Sequence, residues 1–518
     1  MAARWPLALI LAMQAVACLT TLHNTAFQDE GLYLYAGRQI IHHWLGGPAP
    51  LDHYAFYFSG YPAVYPVIGG SLDMISGLEL ARDFSLGCML GVTSIVYSTT
   101  RGLFGQGAAV FAAAMYASVG SVLFLGRLAT FDALCLLLIA LATSVALRSV
   151  TSRGPWLALA VGPLLILAIL AKYAALLFVP PVLSLLVLRG LLVVGWWRTA
   201  IRLALALVAL AVSAIIAYEL VDKAAFHAIA GSTTNRVAVL QEPRLQLFTH
   251  VLYMGGVIYL FAGLGVLLTL RHTRRLSVVA VALSVSSWLA PAYHIYKQEA
   301  ISLDKHIAFA MFFAAPLAGY ALAWISGLSS RVSFDTYRGY WAAGVAVILA
   351  VFALGLRQSE TLYDWANTSN LSLALHSALR AGGGRILAED VEVARYDARD
   401  ITDQWQWNGL MFFYYVNSHH QALLGDPAVA RAIKDRYFAF VELSFNSYPA
   451  EADFAAQQMI ATRNYDLVAV IPFRNSFGRG HFFLFRISLV PGQGTFKSIL
   501  QVKTKRWFKT CLSGICEA

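Results

Sequence analysis

The stretch "LALILAMQAVACLTTLHNTAFQDEGLYLYAGR", from Leu7 to Arg38, joins an apolar run to a pair of adjacent carboxylates. Residues 5–22 are apolar enough to enter a membrane. Asp29 and Glu30 follow, and tyrosines come directly after them. A carboxylate beside a bilayer needs either water or a function at its position, because it is costly inside the hydrocarbon. The stretch therefore predicts a membrane protein with polar chemistry at one membrane surface.

The composition indicates that the chain crosses the membrane many times. Its 518 residues are 58% hydrophobic and 13% charged, and the mean hydropathy is +0.63. Soluble domains rarely have this balance. Because one span needs about 20 mostly apolar residues, the sequence predicts about eleven spans. We place them near residues 5–22, 84–100, 107–125, 131–148, 155–171, 174–190, 199–218, 249–270, 276–292, 306–326 and 340–356.

The first apolar segment also has the outline of a secretory signal. Arg4 precedes the apolar run, and the run contains "AVAC", which resembles a lipoprotein cleavage site. Such a site usually has leucine three residues before the cysteine, whereas Ala15 stands three residues before Cys18. We therefore interpret residues 5–22 as an uncleaved first span.

The net charge of +10 indicates topology rather than nucleic-acid binding. If the N-terminus is cytoplasmic and the spans alternate, the cytoplasmic stretches are rich in arginine and Asp335 is their only acid. This distribution agrees with the positive-inside rule. We expect a multi-pass protein of the cytoplasmic (inner or plasma) membrane with no nucleic-acid partner. Its N-terminus would lie in the cytoplasm and its C-terminal domain outside.

Composition divides the chain into two predicted domains. Residues 1–356 contain the spans and an aromatic first outer loop, 23–82, in which we expect interfacial helices. In residues 357–518, short β-rich runs such as "YDLVAVIPF" alternate with helical patterns, which predicts an extracytoplasmic α/β domain. Cys511 and Cys516 would then lie where a disulfide can persist. Two free thiols are the alternative.

Polar residues that are distant in sequence are predicted at the same outer surface. Arg127 and Asp132 lie at the outer end of the fourth predicted span, and Lys172 interrupts a long apolar run. Lys305 and His306 open the tenth span. Each residue alone has a structural explanation, such as an interfacial anchor or a snorkelling lysine. Their shared depth favours a single site that contains both acids and bases.

Such a site suits group transfer from a lipid phosphate. A carboxylate can take the proton from an attacking hydroxyl. Lysine, histidine or arginine can stabilise the negative charge on a departing phosphate. The donor would be a sugar on a lipid phosphate, with its tail in the bilayer and its head at the interface. Asp29 has the alternative role of beginning an interfacial helix as its N-terminal cap.

These residues resemble the GT-C glycosyltransferases, in particular the bacterial branch related to protein O-mannosyltransferases and aminoarabinose transferases. The likeness depends on Asp29 and Glu30 after the first span, on "GRLATFDALCLLLIALA", and on "AKYAALLFVPPVL" with Lys172. It covers roughly residues 5–325, and the C-terminal domain matches only in kind. Aminoarabinose transferases have a lysine in the first outer loop that meets the lipid phosphate. Residues 54–66 contain no lysine or arginine, which argues against lipid A modification.

The resemblance implies a polytopic α-helical membrane glycosyltransferase with a polyprenyl-phosphate-sugar donor. The acceptor would be a hydroxyl of a lipid, a cell-envelope glycan or a protein at the outer face. The sugar carbon would be inverted by direct displacement. Asp29 would be the catalytic base, and Glu30 and Asp132 would shape the acceptor pocket. Candidates for binding the donor phosphate are Lys172, Lys305, His306 and Arg127.

Metal use and the class of activity stay open in the sequence. Some GT-C enzymes use a divalent cation near the acids. His42 and His53 would be further ligands, or else surface histidines, so we assign no metal site. The main alternative function is a transporter or flippase for a glycolipid, without glycosyl transfer. Transporters often contain repeats and place charges near the bilayer midplane, whereas these charges are predicted at one interface.

Overall fold

The chain divides into two compact units in the computed structural model. Cys511 and Cys516 lie outside the described residues, so their disulfide stays a prediction. The membrane unit comprises Met1–His23 and Ala36–Tyr363, and the α/β unit comprises Asn24–Tyr35 and Asp364–Ala518. The structure describes residues 5–56, 58–221, 223, 226, 229, 231, 240–327, 338–380 and 383–495.

The two units divide after Tyr363, within the same region as the predicted domain boundary at residue 356. A short segment from the predicted first outer loop, Asn24–Tyr35, is grouped with the C-terminal residues. The assignment of a catalytic domain to 1–356 and of an outer domain to 357–518 stays a prediction.

Helices build the membrane unit. Helix α2 begins in the α/β unit and ends in the membrane unit. The helices are α1 (Trp5–Thr21), α2 (Gln28–Trp44), α3 (Tyr65–Phe104), α4 (Gln106–Ala117), α5 (Gly120–Leu125), α6 (Phe131–Thr151), α7 (Val161–Ala171), α8 (Val179–Val193), α9 (Trp196–Leu220), α10 (Arg244–His272), α11 (Ser277–Lys297), α12 (Leu303–Ile325) and α13 (Arg338–Leu362).

The predicted polytopic helical fold is confirmed. Among the described residues, seven helices are long and apolar enough to cross a membrane. Three predicted spans coincide with shorter apolar helices, and residues 84–100 lie inside the long helix α3. The predicted number of eleven is therefore not confirmed. The seven candidates are Phe131–Thr151, Tyr173–Val193, Trp196–Leu220, Arg244–His272, Arg274–Lys297, Leu303–Ile325 and Ala342–Leu362.

Helix α12 is the centre of the membrane unit. The apolar part of α12 is 94% buried, whereas that of α9 is only 17% buried. Helix α12 is rich in alanine, and such small residues let helix backbones approach closely. Gly319 lies at one such close approach, because an added Cβ atom would lie 2.4 Å from the Ala112 nitrogen and 2.5 Å from the Ala108 oxygen. Side-chain size at this position therefore limits how α4 and α12 pack.

Helix α3 is bent at Ser76 and Gly77, about three turns after its start. Ser76 and Gly77 have non-helical dihedral angles, and Gly77 has a φ of 76°, which favours glycine. The part of α3 before this bend packs against α2, where a Cβ on Gly37 would lie 1.8 Å from the Pro66 oxygen. Arg38 of α2 forms an ion pair with the buried Asp73 of α3. The predicted aromatic loop thus contains two helical segments that are joined by close packing and a charge pair.

We predict that Gly319→Val destabilises the membrane unit. Overpacking of a close contact costs about 1–3 kcal/mol or more, so the midpoint of thermal unfolding in detergent should fall by about 5 °C. Gly263→Val is the matched control, because nothing lies within 4 Å of a Cβ at Gly263. Equal unfolding midpoints for the two variants would contradict the close packing of α12.

The α/β unit contains a mixed sheet with helices on both faces, which confirms the predicted fold class. The five-stranded sheet has the order β2-β1-β5-β7-β6, and β3 and β4 form a separate antiparallel pair. Strand β1 is parallel to β2 and β5, and β7 is antiparallel to β5 and β6. The strands are β1 (Ile386–Ala388), β2 (Trp407–Gly409), β3 (Tyr414–Val416), β4 (Ala422–Leu424), β5 (Phe440–Leu443), β6 (Tyr465–Asn475) and β7 (Gly478–Ile487). The helices are α14 (Ser369–Arg380), α15 (Val391–Asp397), α16 (Asp426–Lys434) and α17 (Pro449–Thr462).

Alternating side chains of the central strands form two cores. Leu387 and Val441 pack with residues of α16 and α17 on one face. Ile386 and Phe440 pack with residues of α14 and α15 on the other face. This alternation is the period of two that an extended strand imposes. Because both faces are covered, every residue of β1 and β5 is buried.

Strand β5 carries a buried carboxyl group, Glu442. Burial, together with the nearby charge of Glu389, raises the pKa of Glu442 from 4.5 to about 8. Folded protein therefore keeps a proton at pH values where the unfolded chain has lost it. The resulting stability is fully present below about pH 4.5 and is lost as the pH rises through about 8.

We predict that Glu442→Gln weakens the pH dependence of the α/β unit. In the unaltered protein, amide hydrogen exchange in β5 should accelerate between pH 5 and pH 8.5 beyond the intrinsic pH effect. In Glu442→Gln, this additional acceleration of exchange should be at least about twofold smaller than in the unaltered protein. Asp426→Asn, at an exposed carboxyl, should keep the original dependence. An unchanged dependence in Glu442→Gln would show that Glu442 does not hold the proton.

Candidate functional site

A buried ion pair joins two of the residues selected from the sequence. The Lys172 ammonium contacts the Asp132 carboxylate, and the two side chains are 4% and 0% exposed. Asp132 lies in the first turn of α6, and Thr130 donates a hydrogen bond of 3.0 Å to its second oxygen. Since a charge without its partner is strongly unfavourable in such a place, each residue requires the other.

A break between α7 and α8 directs Lys172 to this position. Lys172 has extended backbone angles of −151° and 122° after the end of α7. Chain segments beside the break supply the lost hydrogen bonds. Tyr173 N donates to Ser59 O at 2.8 Å, and Tyr61 N donates to Leu170 O at 2.7 Å. Residues 59–61 of the first outer loop therefore stabilise the break between α7 and α8 through these hydrogen bonds.

Lys305 belongs to the same group. It lies in the first turn of α12, is 7% exposed, and is close enough to interact electrostatically with both Asp132 and Lys172. Lys172 also lies 5.1 Å from the centre of the Phe131 ring. Buried apolar groups strengthen electrostatic interactions because they exclude water. We call Asp132, Lys172 and Lys305 the lysine site.

His306 joins the lysine site to α11 through a second histidine. The distance from His306 Nδ1 to His294 Nε2 is 2.7 Å. The distance from His294 Nδ1 to the backbone carbonyl oxygen of Glu299 is also 2.7 Å. A carbonyl oxygen only accepts, so His294 Nδ1 is the donor, and neutral His294 then accepts from His306 Nδ1. Neutral His306 consequently has an acceptor at Nε2. It would donate to a phosphate from that atom only as an imidazolium.

Arg127 lies in a different set of ion pairs. Its guanidinium contacts Glu79 and lies 2.8 Å from Asp83, both on α3. Arg82 also contacts Glu79 at 3.0 Å. The Tyr363 hydroxyl donates to the Arg127 carbonyl at 2.8 Å. These contacts tie α3 to the turn before α6, and a contact of Arg127 with a donor phosphate stays a prediction.

Asp29 and Glu30 lie in the α/β unit, in the first turn of α2. Glu30 is fully buried and accepts a hydrogen bond of 2.8 Å from the Phe27 amide. This is the reciprocal half of a capping box, in which an acid at the third helical position binds the amide before the helix. Glu30, rather than Asp29, therefore caps α2.

The segment that carries the acid pair is held by residues after α13. Trp365 Nε1 donates to the Thr25 carbonyl at 3.0 Å, and the Asn24 side-chain Nδ2 donates to the Trp365 carbonyl at 2.8 Å. The Phe27 and Trp365 rings lie 5.0 Å apart. Farther along, the Arg395 guanidinium stacks 4.5 Å from the Tyr35 ring centre. The acid pair thus belongs to the tertiary structure of the C-terminal residues.

Comparisons with known proteins agree with this architecture. The family model described as dolichyl-phosphate-mannose-protein mannosyltransferase matches residues 78–218. A search of curated proteins gave no match. The structure is similar to the apo oligosaccharyltransferase of Archaeoglobus fulgidus, with a TM-score of 0.60 and 13% identity over 94% of this chain and 74% of that one. It is also similar to ArnT from Cupriavidus metallidurans bound to undecaprenyl phosphate, with a TM-score of 0.60 and 15% identity over 93% and 98% of the chains.

A third similar structure is the mycobacterial arabinofuranosyltransferase AftD, with a TM-score of 0.52 and 12% identity over 95% of this chain and 40% of that one. At these identities the likeness is one of fold. The chain is thus similar in fold to the oligosaccharyltransferase, to ArnT and to AftD, and residues 78–218 match the mannosyltransferase family model. The resemblance inferred from the sequence is therefore confirmed.

Within the part of the chain that the structure describes, no three His, Cys, Asp or Glu side chains are arranged to hold a metal ion. The sequence had suggested Asp29, Glu30, His42 and His53 as a possible set. We therefore derive no catalytic step from a metal, and use of a divalent cation stays an untested expectation.

His294, Glu79 and Asp83 contact side chains that were selected from the sequence, but they were not selected themselves. His294 had a weak signal, since it lies near the end of a predicted span. Glu79 and Asp83 stand in "LELARD", four residues apart on one helical face, which is a recognisable ion-pairing pattern. Their partner Arg127 is distant in sequence, so the pairing itself had no signal.

We predict that the members of the buried ion pair are coupled in stability. Asp132→Asn and Lys172→Met should each destabilise the protein by about 3 kcal/mol, because each leaves one buried charge without its partner. The double variant should be more stable than the less stable single variant. Thermal unfolding in detergent measures all four proteins. Strictly additive losses in the double variant would show that the two side chains do not interact.

Proposed function

We propose that this chain is a membrane glycosyltransferase that moves a sugar from a polyprenyl-phosphate donor to an acceptor hydroxyl. The observation that carries the proposal is the lysine site, two amines and a carboxylate buried in the membrane unit of a GT-C fold. Two similar structures contain lipid phosphates: ArnT holds undecaprenyl phosphate, and the archaeal oligosaccharyltransferase AglB holds dolichol-phosphate with an inhibitory peptide.

Lys172 and Lys305 would bind the donor phosphate. Each ammonium has three N–H donors, so a lysine that holds a carboxylate can also donate to phosphate oxygens. Charge-assisted hydrogen bonds of this kind are stronger than neutral ones. Asp132 would keep Lys172 charged and oriented. His306, as an imidazolium, would add another donor, and Arg127 stays a more peripheral candidate because two carboxylates already bind it.

Asp29 would be the general base. Its carboxylate would take the proton of the acceptor hydroxyl while the acceptor oxygen forms a bond to the sugar carbon. The bond between that carbon and the phosphate oxygen would break at the same time, and the polyprenyl phosphate would leave with the electron pair. One displacement inverts the configuration at the sugar carbon. Glu30, which caps α2, would hold the turn that carries Asp29.

The reaction would take place at the outer face of the cytoplasmic membrane. The arginine-rich stretches predicted on the cytoplasmic side support this orientation, and it places the α/β unit outside the cytoplasm. The acceptor would be a lipid, a cell-envelope glycan or a protein. A glycolipid flippase without transfer is the alternative that the experiment below must separate.

We predict that Asp29→Asn abolishes sugar transfer. Purified protein in liposomes would receive a panel of radiolabelled polyprenyl-phosphate sugars with a cell-envelope extract as acceptor. The unaltered protein should transfer label from at least one donor, and Asp29→Asn should lower the rate by at least about 100-fold, since general base catalysis contributes on this scale. Asp364→Asn, at an exposed carboxyl, is the matched control and should keep the rate.

Two results would contradict this assignment. Transfer that survives in Asp29→Asn would show that another group is the base. Movement of an intact glycolipid between leaflets, without transfer from any donor, would favour the flippase.

A further inference from the structure

Glu389 lies at the carboxyl end of β1 and accepts an unusual number of backbone hydrogen bonds. One of its carboxylate oxygens accepts from the amides of Ser444 and Phe445, both at 2.7 Å. The other oxygen accepts from Asn446, Ser447 and Tyr448, at 2.8, 2.9 and 3.0 Å. Glu389 is 1% exposed. The five amides replace the water that a buried carboxylate would otherwise need.

Residues 444–448 therefore form a loop wrapped around one carboxylate, which we call the Glu389 loop. The loop joins the end of β5 to the start of α17. Phe445 within it has a φ of 56°. A bulky residue adopts this left-handed conformation only where its surroundings enforce it, and such strain is frequent at functional sites. The bonds to Glu389 supply that enforcement.

The carboxylate of Glu389 suits the five backbone N–H donors better than an amide side chain of the same shape would. A glutamine at this position would offer one acceptor oxygen and would present its NH₂ group to backbone N–H groups. Three further acidic groups belong to the same cluster as Glu389. They are Glu442 of β5, Glu392 of α15 and the next residue in the chain, Asp390. Burial and mutual repulsion raise the pKa of Asp390 and of Glu442. Negative charge in the cluster is thus disfavoured on these two neighbours, whereas Glu389 has five amide donors.

The Glu389 loop is in contact with the first turn of α2. Tyr448, the last loop residue, accepts a hydrogen bond of 3.2 Å from the Gln28 side chain at its hydroxyl oxygen. The same Gln28 nitrogen lies 3.5 Å from a Glu392 oxygen. One turn along, a Cβ on Gly31 would lie only 2.8 Å from the Glu392 carbonyl oxygen. Gln28 and Gly31 enclose Asp29 and Glu30 in sequence, so both sides of the acid pair are fixed by the same region.

We propose that Glu389 is a positioning residue for Asp29. Its carboxylate fixes the Glu389 loop, Tyr448 at the end of that loop fixes Gln28, and Gln28 fixes the helical turn that presents Asp29. The inference rests on the proposed role of Asp29 as base. It gives the C-terminal α/β unit a part in catalysis, which is to hold the base rather than only to bind an acceptor.

The experiment measures positioning and turnover separately in the full-length protein. Hydrogen exchange of peptides covering residues 27–35 reports the order of the first α2 turn, whether or not Asp29 is the base. Glu389→Gln and Tyr448→Phe should each accelerate this exchange by about tenfold, without changing peptides from α12. Tyr448→Phe removes one oxygen only, so it tests the contact even if Glu389→Gln fails to fold. Glu451→Gln, in the first turn of α17, is the matched control.

Kinetics then distinguish positioning from general stability. Tyr448→Phe should lower kcat by about tenfold while the KM for the donor stays within about twofold, because small displacements of a catalytic group reduce turnover strongly. Gln28→Leu should also lower kcat, and the Tyr448→Phe/Gln28→Leu double variant should be no worse than Gln28→Leu alone, since both substitutions remove the contact between Gln28 and Tyr448.

The outcomes separate the two proposals. Unchanged exchange of residues 27–35 in both Glu389→Gln and Tyr448→Phe overturns the positioning role, whatever the activity. Faster exchange with an unchanged kcat also overturns it. If Asp29→Asn retains full transfer, the assignment of the base fails. Faster exchange would then still support the contact between the Glu389 loop and the first turn of α2.

Discussion

A charge pair in the interior of a membrane protein is stable only while both partners remain, and Asp132 and Lys172 meet this condition with both side chains buried. The pair requires three local features of the chain. Helix α6 must begin with Asp132 in its first turn, α7 must end before Lys172, and residues 59–61 must bond to the break. The start of α12 then brings Lys305 to the same place. Helices α6, α7 and α12 of the membrane unit are therefore arranged around the lysine site.

The α/β unit also contains a buried charged group whose partners hold it in place. Here a buried carboxylate, Glu389, is satisfied by backbone amides rather than by a cation. The loop that it organises contacts the turn that contains Asp29 and Glu30. Residues 24–35 follow the first apolar helix in sequence, yet they fold with residues after α13. The polar groups of the proposed reaction are thus supported by two separate sets of buried interactions, one in each unit.

Part of this arrangement could be predicted from the sequence and part could not. Lys172 and Asp132 were recognisable because charges inside apolar runs are rare and therefore informative. The α/β fold was recognisable from alternating strands such as β6. By contrast, Glu389 had no signal, because its partners are backbone amides that every residue possesses. The number of eleven spans is not confirmed, because the apolar helices α1, α4 and α7 are shorter than the seven candidates and residues 84–100 form only part of the longer helix α3.

We propose that the lysine site binds the phosphate of a polyprenyl carrier. Native mass spectrometry of the purified protein with undecaprenyl phosphate tests it directly, with unaltered protein, Lys305→Met, and Lys434→Met as a control at an exposed lysine. We expect Lys305→Met to weaken binding by at least about tenfold, because it loses a hydrogen bond to a charged group, and Lys434→Met to bind like the unaltered protein. Equal binding by all three proteins would contradict the account.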